Sequence, residues 1–159
     1  MRITSFAKMP AKDRLRLVRA KRAASRSVDP RGHRVGCLIA CAGGEEFLGA
    51  TASRTRAIGS TCAERMALDQ WYFDRSHPAP VVCYLVGNFM RESWKKHFVC
   101  TPCGTCLEMF LELFVDQNLD KLKFICGSWD LKRVLVADLD ELFPQFGKGG
   151  WPYETKGVR

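Results

Sequence analysis

Long hydrophobic runs are missing from this sequence, and so is any internal repeat or low-complexity segment. No apolar run is long enough to cross a bilayer, and residues 1–10 hold no continuous apolar stretch, so we expect neither a membrane span nor a secretory signal. A chain of 159 residues, 47% of them hydrophobic, can bury one sizeable core but hardly two. We therefore expect a single cytoplasmic domain over residues 1–159, with no membrane partner.

Acidic residues and histidines are also scarce. The sequence has 17 Asp and Glu against 25 Lys and Arg, for a net charge of +8, and three histidines. A basic surface favours a polyanionic partner, but much of the excess lies in residues 8–34, where the pattern is typical of an amphipathic helix with a solvated basic face. Nucleic acid is thus an alternative partner that we do not favour. A mitochondrial presequence is a further alternative for this Arg-rich, acid-poor segment.

Eight cysteines would indicate a disulfide framework in a small secreted chain. Here four of them lie in apolar, strand-like runs and are interpreted as packing residues, namely Cys37, Cys41, Cys83 and Cys126. This usage favours a reducing compartment. The histidines are isolated in the sequence, and we expect each at the surface or beside a site without ligating a metal: His33, His77 and His97.

Along the sequence, the spacing of hydrophobic residues switches between the pattern typical of helices and the pattern typical of strands. Three helices are predicted, over residues 11–27, 62–74 and 103–117, and five strands, over residues 34–41, 46–52, 80–86, 122–126 and 133–137. The resulting order, αββαβαββ, predicts an α/β fold with a central sheet covered by helices.

Two short segments carry the chemistry of this chain, Cys62-Ala63-Glu64 and Cys103-Gly104-Thr105-Cys106. Three thiolates can hold a zinc ion and leave its fourth tetrahedral position for water, while a carboxylate two residues from the first thiolate can move that water's protons. Both segments are predicted to begin helices, whose N-terminal partial positive charge favours thiolates over thiols. The pattern therefore predicts a hydrolytic zinc enzyme.

Cys100 leaves an alternative open, because it extends the second segment to three cysteines spaced by three residues. Four thiolates would make a closed structural zinc site instead of an open catalytic one. We favour the catalytic interpretation, because Glu64 would have no role in a closed site.

The sequence TCAERMAL at residues 61–68 and TPCGTC at residues 101–106 resemble the small zinc-dependent cytidine deaminase family, which includes blasticidin S deaminase-like enzymes. A Val-Gly pair at residues 35–36 and the segment 139–147, one residue shorter than the family's Leu-Pro-x-x-Phe-Gly ending, extend the likeness. The resemblance implies a three-layer fold with a central mixed five-stranded sheet flanked by helices. The core would span residues 11–147 and a basic aromatic tail residues 148–159.

By that resemblance the zinc ligands are Cys62, Cys103 and Cys106, and Arg65 partners the thiolates. Glu64 would act as general base and acid in turn: it takes a proton from the zinc-bound water, and the hydroxide attacks the carbon that bears the exocyclic amine.

Substrate contacts are also implied by the family. The backbone N–H of Ala63 and the carbonyl of Thr101 would hold the base. Family members that use free cytidine have Gly-x-Asn-x-Glu-Asn before the first motif, and here Thr51 replaces the Asn and Ser53 the Glu that hold the ribose hydroxyls. Arg54 follows directly, and its guanidinium suits a carboxylate or phosphate, so we predict that these positions bind a cytosine-like and possibly anionic substrate. A solvent-facing or subunit-facing loop is the alternative.

Phe146 carries a prediction about assembly. In the small deaminases the C-terminal Phe of one subunit reaches the pocket of another, so Phe146 could stack on a neighbour's substrate within a homotetramer. Packing within the subunit is the alternative.

Together these residues predict a zinc-dependent hydrolase that releases ammonia from a cytosine-type nucleoside or a related small ring bearing an amine. Two alternatives stay open. One is a deaminase of a nucleotide or of single-stranded nucleic acid, which would need a basic, aromatic groove beside the pocket. The other is a noncatalytic zinc-binding module.

Overall fold

The computed structural model describes residues 1–53, 60–74 and 76–143. Six strands alternate with four helices in the described part, and a 3₁₀ turn at Phe6–Lys8 follows the first strand. The strands are β1 (Arg2–Ser5), β2 (Arg34–Cys41), β3 (Glu46–Ala50), β4 (Pro80–Asn88), β5 (Lys123–Gly127) and β6 (Arg133–Asp138). The helices are α1 (Ala11–Ala24), α2 (Ala63–Phe73), α3 (Gly104–Asp116) and α4 (Leu139–Leu142).

All six strands form one mixed sheet in the order β1-β6-β5-β4-β2-β3. Strands β4 and β5 pair in parallel and every other neighbouring pair is antiparallel. The predicted α/β class with a mixed central sheet is confirmed, but the count of five strands is wrong. The sixth strand is β1, which pairs with β6 and escapes pattern recognition because it has four residues and is largely exposed.

Helices cover both faces of the sheet, and strand parity explains the layering. In β2, Leu38 and Ala40 pack with Leu17 of α1, whereas Cys37 and Ile39 pack with residues of α2 and α3 on the opposite face. Because both faces are covered, β2 and β4 are nearly continuous apolar runs. The four cysteines interpreted as packing residues are buried in β2, β4 and β5 and are free thiols.

Helix α2 lies unusually close to the sheet at its first turn. Gly49 of β3 faces this turn, and a Cβ built on Gly49 would collide with the carbonyl oxygen of Ala63 and stand 2.7 Å from the backbone nitrogen of Ala67. Only glycine permits this approach. The contact fixes where the N-terminus of α2 lies relative to the sheet.

No helix in the described part of the chain is both long and apolar enough to cross a membrane, and the longest, α1, has 14 residues.

Candidate active site

Two helix N-termini meet at one end of the sheet and bring the three predicted thiols together. Cys62 is the N-cap residue of α2 and Cys103 that of α3, both with extended backbone, and Cys106 lies in the first turn of α3. The Sγ atoms of Cys62 and Cys103 are 3.9 Å apart, and all three Sγ atoms lie within 4.8 Å of one another. The N-terminal ends of both helices thus direct their partial positive charge at one group of sulfurs.

This donor set fits zinc. Three thiolates bound at about 2.3 Å to a tetrahedral zinc ion stand about 3.8 Å apart, close to the distance between Cys62 and Cys103. Cys100 lies among the described residues, but it is not part of this group of three thiols. Its buried thiol packs against Gly87 of β4, and burial raises its pKa well above the usual value. The described geometry therefore supports a three-thiolate set.

The pKa values of Cys62 and Cys106 are shifted in opposite directions. A hydrogen bond from Cys106 lowers the pKa of Cys62 to about 6 against the opposing effect of burial, and a hydrogen bond from Cys103 and the charge of Arg65 act in the same direction. The pKa of Cys106 is raised by that same hydrogen bond and by burial. One sulfur of the group is thus already favoured as a thiolate, the form that binds zinc.

Glu64 completes the floor of the site. Its side chain follows Cys62 by two residues, in the first turn of α2, and the residue is 5% exposed. Burial, together with the nearby charge of Cys62, raises the pKa of Glu64 to about 7. The carboxyl is therefore desolvated beside the thiol group.

A cavity of about 280 Å³ opens above this floor. Six of the residues predicted from the sequence to form the site line it, namely Thr51, Ser53, Cys62, Glu64, Thr101 and Cys103. The hydroxyl of Ser53 is held 3.2 Å from that of Ser60, which also lines the cavity. A cavity of this size accommodates one small ring with a short substituent.

The other predicted site residues lie elsewhere or cannot be placed. Ala63 is fully buried in the core beside Gly49 and does not line the cavity. Arg65 is exposed and pairs with Asp69 one turn along α2, at 3.8 Å. Arg54 and Phe146 lie outside the described residues.

Nine lining residues were not among the predicted site residues, and five of them lie on the two segments that flank the mouth: Asp29, Arg31, His33, Phe89 and Arg91. His33 in particular is 5% exposed, because its ring accepts a hydrogen bond at Nδ1 from the backbone N–H of Met90 and packs edge-on against Phe89. Strand parity is a signal that could have found His33, because it lies two residues before Val35 of β2, which also lines the cavity. No comparable signal marks Asp29, Arg31, Phe89 or Arg91.

Comparison with known proteins relates this chain to one protein family. The family model described as "Cytidine and deoxycytidylate deaminase zinc-binding region" matches residues 10–118. No curated protein sequence matches significantly.

Solved structures of cytidine deaminases share the fold. The enzyme from Burkholderia pseudomallei superposes with a TM-score of 0.67 at 22% identity, over 84% of this chain and 96% of that one. The Mycobacterium leprae enzyme gives 0.61 at 19% identity over 86% and 100%, and the Bacillus anthracis enzyme 0.59 at 16% over 84% and 87%.

The matched region is one that binds zinc, it contains all three thiols of the group, and the thiols have the spacing that zinc requires. The chain therefore belongs to the zinc-dependent cytidine and deoxycytidylate deaminase family.

Proposed function

We propose that this protein is a hydrolytic deaminase that releases ammonia from a cytosine-type nucleoside or a related small ring bearing an amine. The observation that carries the proposal is the position of Glu64, a buried carboxyl on the floor of a cavity beside three thiols. A structural zinc site has no use for a carboxyl that faces a cavity of substrate size. A noncatalytic zinc-binding module is for this reason the weaker candidate.

The chemistry divides between the metal and the chain. A zinc ion held by Cys62, Cys103 and Cys106 supplies a Lewis acid that makes water easier to deprotonate. Glu64 takes a proton from the attacking water and returns protons to the ring nitrogen and to the departing amine, serving as base and then as acid. Its burial excludes bulk water from this transfer.

A backbone group in the cavity wall holds the ring. We assign the carbonyl of Thr101, which lines the cavity, to the polar edge of the base, whereas a role for the N–H of Ala63 stays a prediction from the sequence. Thr51 and Ser53 line the same cavity and contact the substituent of the ring. Arg65 acts on Cys62 through its charge.

Roles for Arg54 and Phe146 in substrate binding stay predictions from the sequence, and so do the homotetramer, the cytoplasmic location and the single domain with a basic aromatic tail.

The test is an ammonia-release panel on the zinc-loaded protein. The substrates are cytosine, cytidine, deoxycytidine, their monophosphates, blasticidin S, guanine and single-stranded DNA. Activity on at least one small cytosine compound is expected, and Glu64→Gln should lower it by about 10²–10⁴-fold or more while the zinc content stays the same. The matched control is Glu112→Gln, which changes an exposed carboxylate on α3.

Two results would contradict the proposal. One is full activity in Glu64→Gln, which would remove the carboxyl from the mechanism. The other is a fully zinc-loaded protein that releases ammonia from no substrate of the panel, which would favour the noncatalytic module. Activity confined to single-stranded DNA would favour the nucleic-acid alternative.

A further inference from the structure

Two loops meet at the mouth of the cavity where the pairing of β2 with β4 ends. Arg34 pairs with Asn88 at the last position of that ladder. One residue beyond this pair on each segment, His33 and Phe89 face each other with ring centroids 5.3 Å apart. The N–H of Met90 donates to His33 Nδ1 at 3.0 Å. The two segments therefore remain in contact beyond the end of the sheet.

Gly32 allows this approach. Its φ of +77° is in the left-handed region, and a Cβ built on it would stand 3.2 Å from Cγ of Met90. The turn at Gly32 and its close contact with Met90 bring their neighbours in the sequence, Arg31 and Arg91, to the same junction.

Both arginines line the cavity, although Arg31 lies in a turn before β2 and Arg91 in a bend after β4. Val35 and His33 line it on the side of Arg31, and Phe89 lines it on the side of Arg91. Val35 is 7% and His33 5% exposed, whereas the side chain of Arg31 is 65% exposed. The lining thus changes from buried residues near the sheet to guanidinium groups at the mouth.

Asp29 holds Arg31 in place. Its carboxylate accepts hydrogen bonds from the Arg31 backbone N–H at 2.7 Å, from Nε at 3.4 Å and from Nη2 at 3.3 Å. The Asp29 side chain is 1% exposed under this cover. One edge of the guanidinium is thereby fixed, and Nη1 of Arg31 has no hydrogen-bond partner in the described part of the chain.

Arg91 is placed differently. Its guanidinium carbon lies 5.8 Å from the centroid of the Phe89 ring, a cation–π contact, and its guanidinium N–H groups have no hydrogen-bond partner among the described residues. Both arginines therefore offer donors at the mouth of the cavity.

The carboxylate at this position is not free to bind sugar hydroxyls. Hydrogen bonds from the Val28 N–H to the Thr51 carbonyl and from the Ser53 N–H to the Val28 carbonyl put Asp29 next to Ser53. A ribose clamp needs an accessible carboxylate that accepts from the substrate, but the Asp29 side chain is 1% exposed and already accepts three hydrogen bonds from Arg31. Cationic donors, and not a free acceptor, dominate the wall.

We propose that Arg31 and Arg91 bind an anionic group, a phosphate or a carboxylate, on the part of the substrate remote from the ring that is deaminated. The preferred substrate is then an anionic cytosine-type compound, and Asp29 is a positioning residue that orients Arg31. Guanidinium groups bind both kinds of anion through paired N–H donors. This inference rests on the proposed deaminase function.

The experiment compares three substrates that differ in one group: cytidine, cytidine 5′-monophosphate and the 5′-carboxylate of cytidine. The wild-type protein should show a kcat/KM for at least one anion that is about 10-fold or more above that for cytidine. Arg31→Gln and Arg91→Gln should each lower kcat/KM for that anion about 10–100-fold more than for cytidine, the size of a lost charge-assisted hydrogen bond. The monophosphate and the carboxylate show which anion the site prefers. Arg133→Gln, which changes an exposed arginine of β6, is the matched control.

A structural role of Asp29 would give a different result from a positioning role. Asp29→Asn should raise KM for the anionic substrate and leave its kcat within about threefold, because the positioning acts on binding of the remote group. A loss of kcat for all three substrates would mean that Asp29 only maintains the fold.

Binding without turnover separates this inference from the proposed function. Calorimetric titration of cytidine 5′-monophosphate into the zinc-loaded Glu64→Gln protein should give an affinity that falls about 10-fold or more when Arg31→Gln is added, with inorganic phosphate as competitor. Loss of affinity in that titration, without ammonia release by the wild type, would sink the deaminase and leave the anion site standing. Equal losses for cytidine and both anions, or no preference for an anion in the wild type, would overturn the anion site and leave the deaminase.

Discussion

Gly49 of β3 lies against the backbone of Ala63, the first residue of α2, with no room for a side chain between them. Ala63 stands between Cys62, the N-cap of α2, and Glu64. Any displacement of this turn therefore moves a zinc ligand and the proposed general base together. The packing of a glycine against a helix backbone positions the chemistry of the site.

Gly49→Ala should accordingly be among the most damaging small changes in the chain. The added Cβ meets backbone atoms, which cannot rotate away, so we expect a loss of about 3 kcal/mol in the free energy of unfolding, at the upper end of the overpacking range. Zinc content should fall as well. Urea unfolding and metal analysis of the purified variant measure both effects.

Gly104→Ala is the matched control for that change. Gly104 is the first residue of α3, beside Cys103, and a Cβ built there meets nothing within 4 Å. Alanine in this helical position should stabilise the protein by at most about 1 kcal/mol and leave the zinc content as it was. Equal losses for both variants would contradict the packing argument.

The zinc site gives a second contrast, between two cysteines three residues apart. Cys103→Ala should lose most of the bound zinc and with it the ammonia release, whereas Cys100→Ala should keep one zinc per chain, because Cys100 is not part of the thiol group. Metal analysis after dialysis against a weak chelator measures the difference. Loss of zinc from Cys100→Ala to the same degree would instead support a closed site of four thiolates.

The metal site could be predicted from the sequence because its geometry is local. Cys62 and Glu64 share one helical turn, Cys103 and Cys106 share another, and the N-cap positions of both turns follow from the start of the hydrophobic period. Few long-range relationships are needed to recognise such a donor set.

The rest of the cavity depends on pairing between distant segments, which the sequence does not display. His33 was expected at the surface or beside a site, but the pairing of β2 with β4 brings it to Phe89 and into the cavity wall. Asp29 reaches the position next to Ser53 through a bridge between two loops. Register sets these contacts, and no short motif records it.

A buried ion pair on the opposite face of the sheet leads to a third prediction. Glu46 of β3 accepts a hydrogen bond from Arg16 Nε at 2.7 Å and a further one from Arg19, and Arg16 also donates to the Tyr84 hydroxyl at 3.2 Å. Burial alone would lower the pKa of Arg16, but the hydrogen bonds to Tyr84 and Glu46 raise it, so the group stays charged. Glu46→Gln leaves that charge buried and poorly compensated, and we expect a loss of about 3 kcal/mol in unfolding free energy.

Asp69→Asn is the matched control for Glu46→Gln. It removes a carboxylate that is 58% exposed and pairs with the exposed Arg65 at 3.8 Å, so the free energy of unfolding should change by no more than about 0.5 kcal/mol. Denaturant titrations of the two variants side by side give the comparison. A similar loss of unfolding free energy in both variants would mean that the pair between Arg16 and Glu46 stabilises the protein no more than a surface pair does.

Strand β1, the one strand that the sequence pattern missed in the described chain, leads to the last prediction. Its four residues pair with β6, and the terminal amine of Met1 contacts Glu141. Because β1 is mostly exposed, removing residues 2–5 should cost only about 1–2 kcal/mol of unfolding free energy and leave the thiol group and ammonia release intact. The backbone edge of β6 would then be unpaired, and light scattering should show association that grows with concentration. A truncated protein that keeps the oligomeric state and the stability of the full chain would mean that β1 contributes nothing to the sheet. One that fails to fold would make β1 part of the folding core.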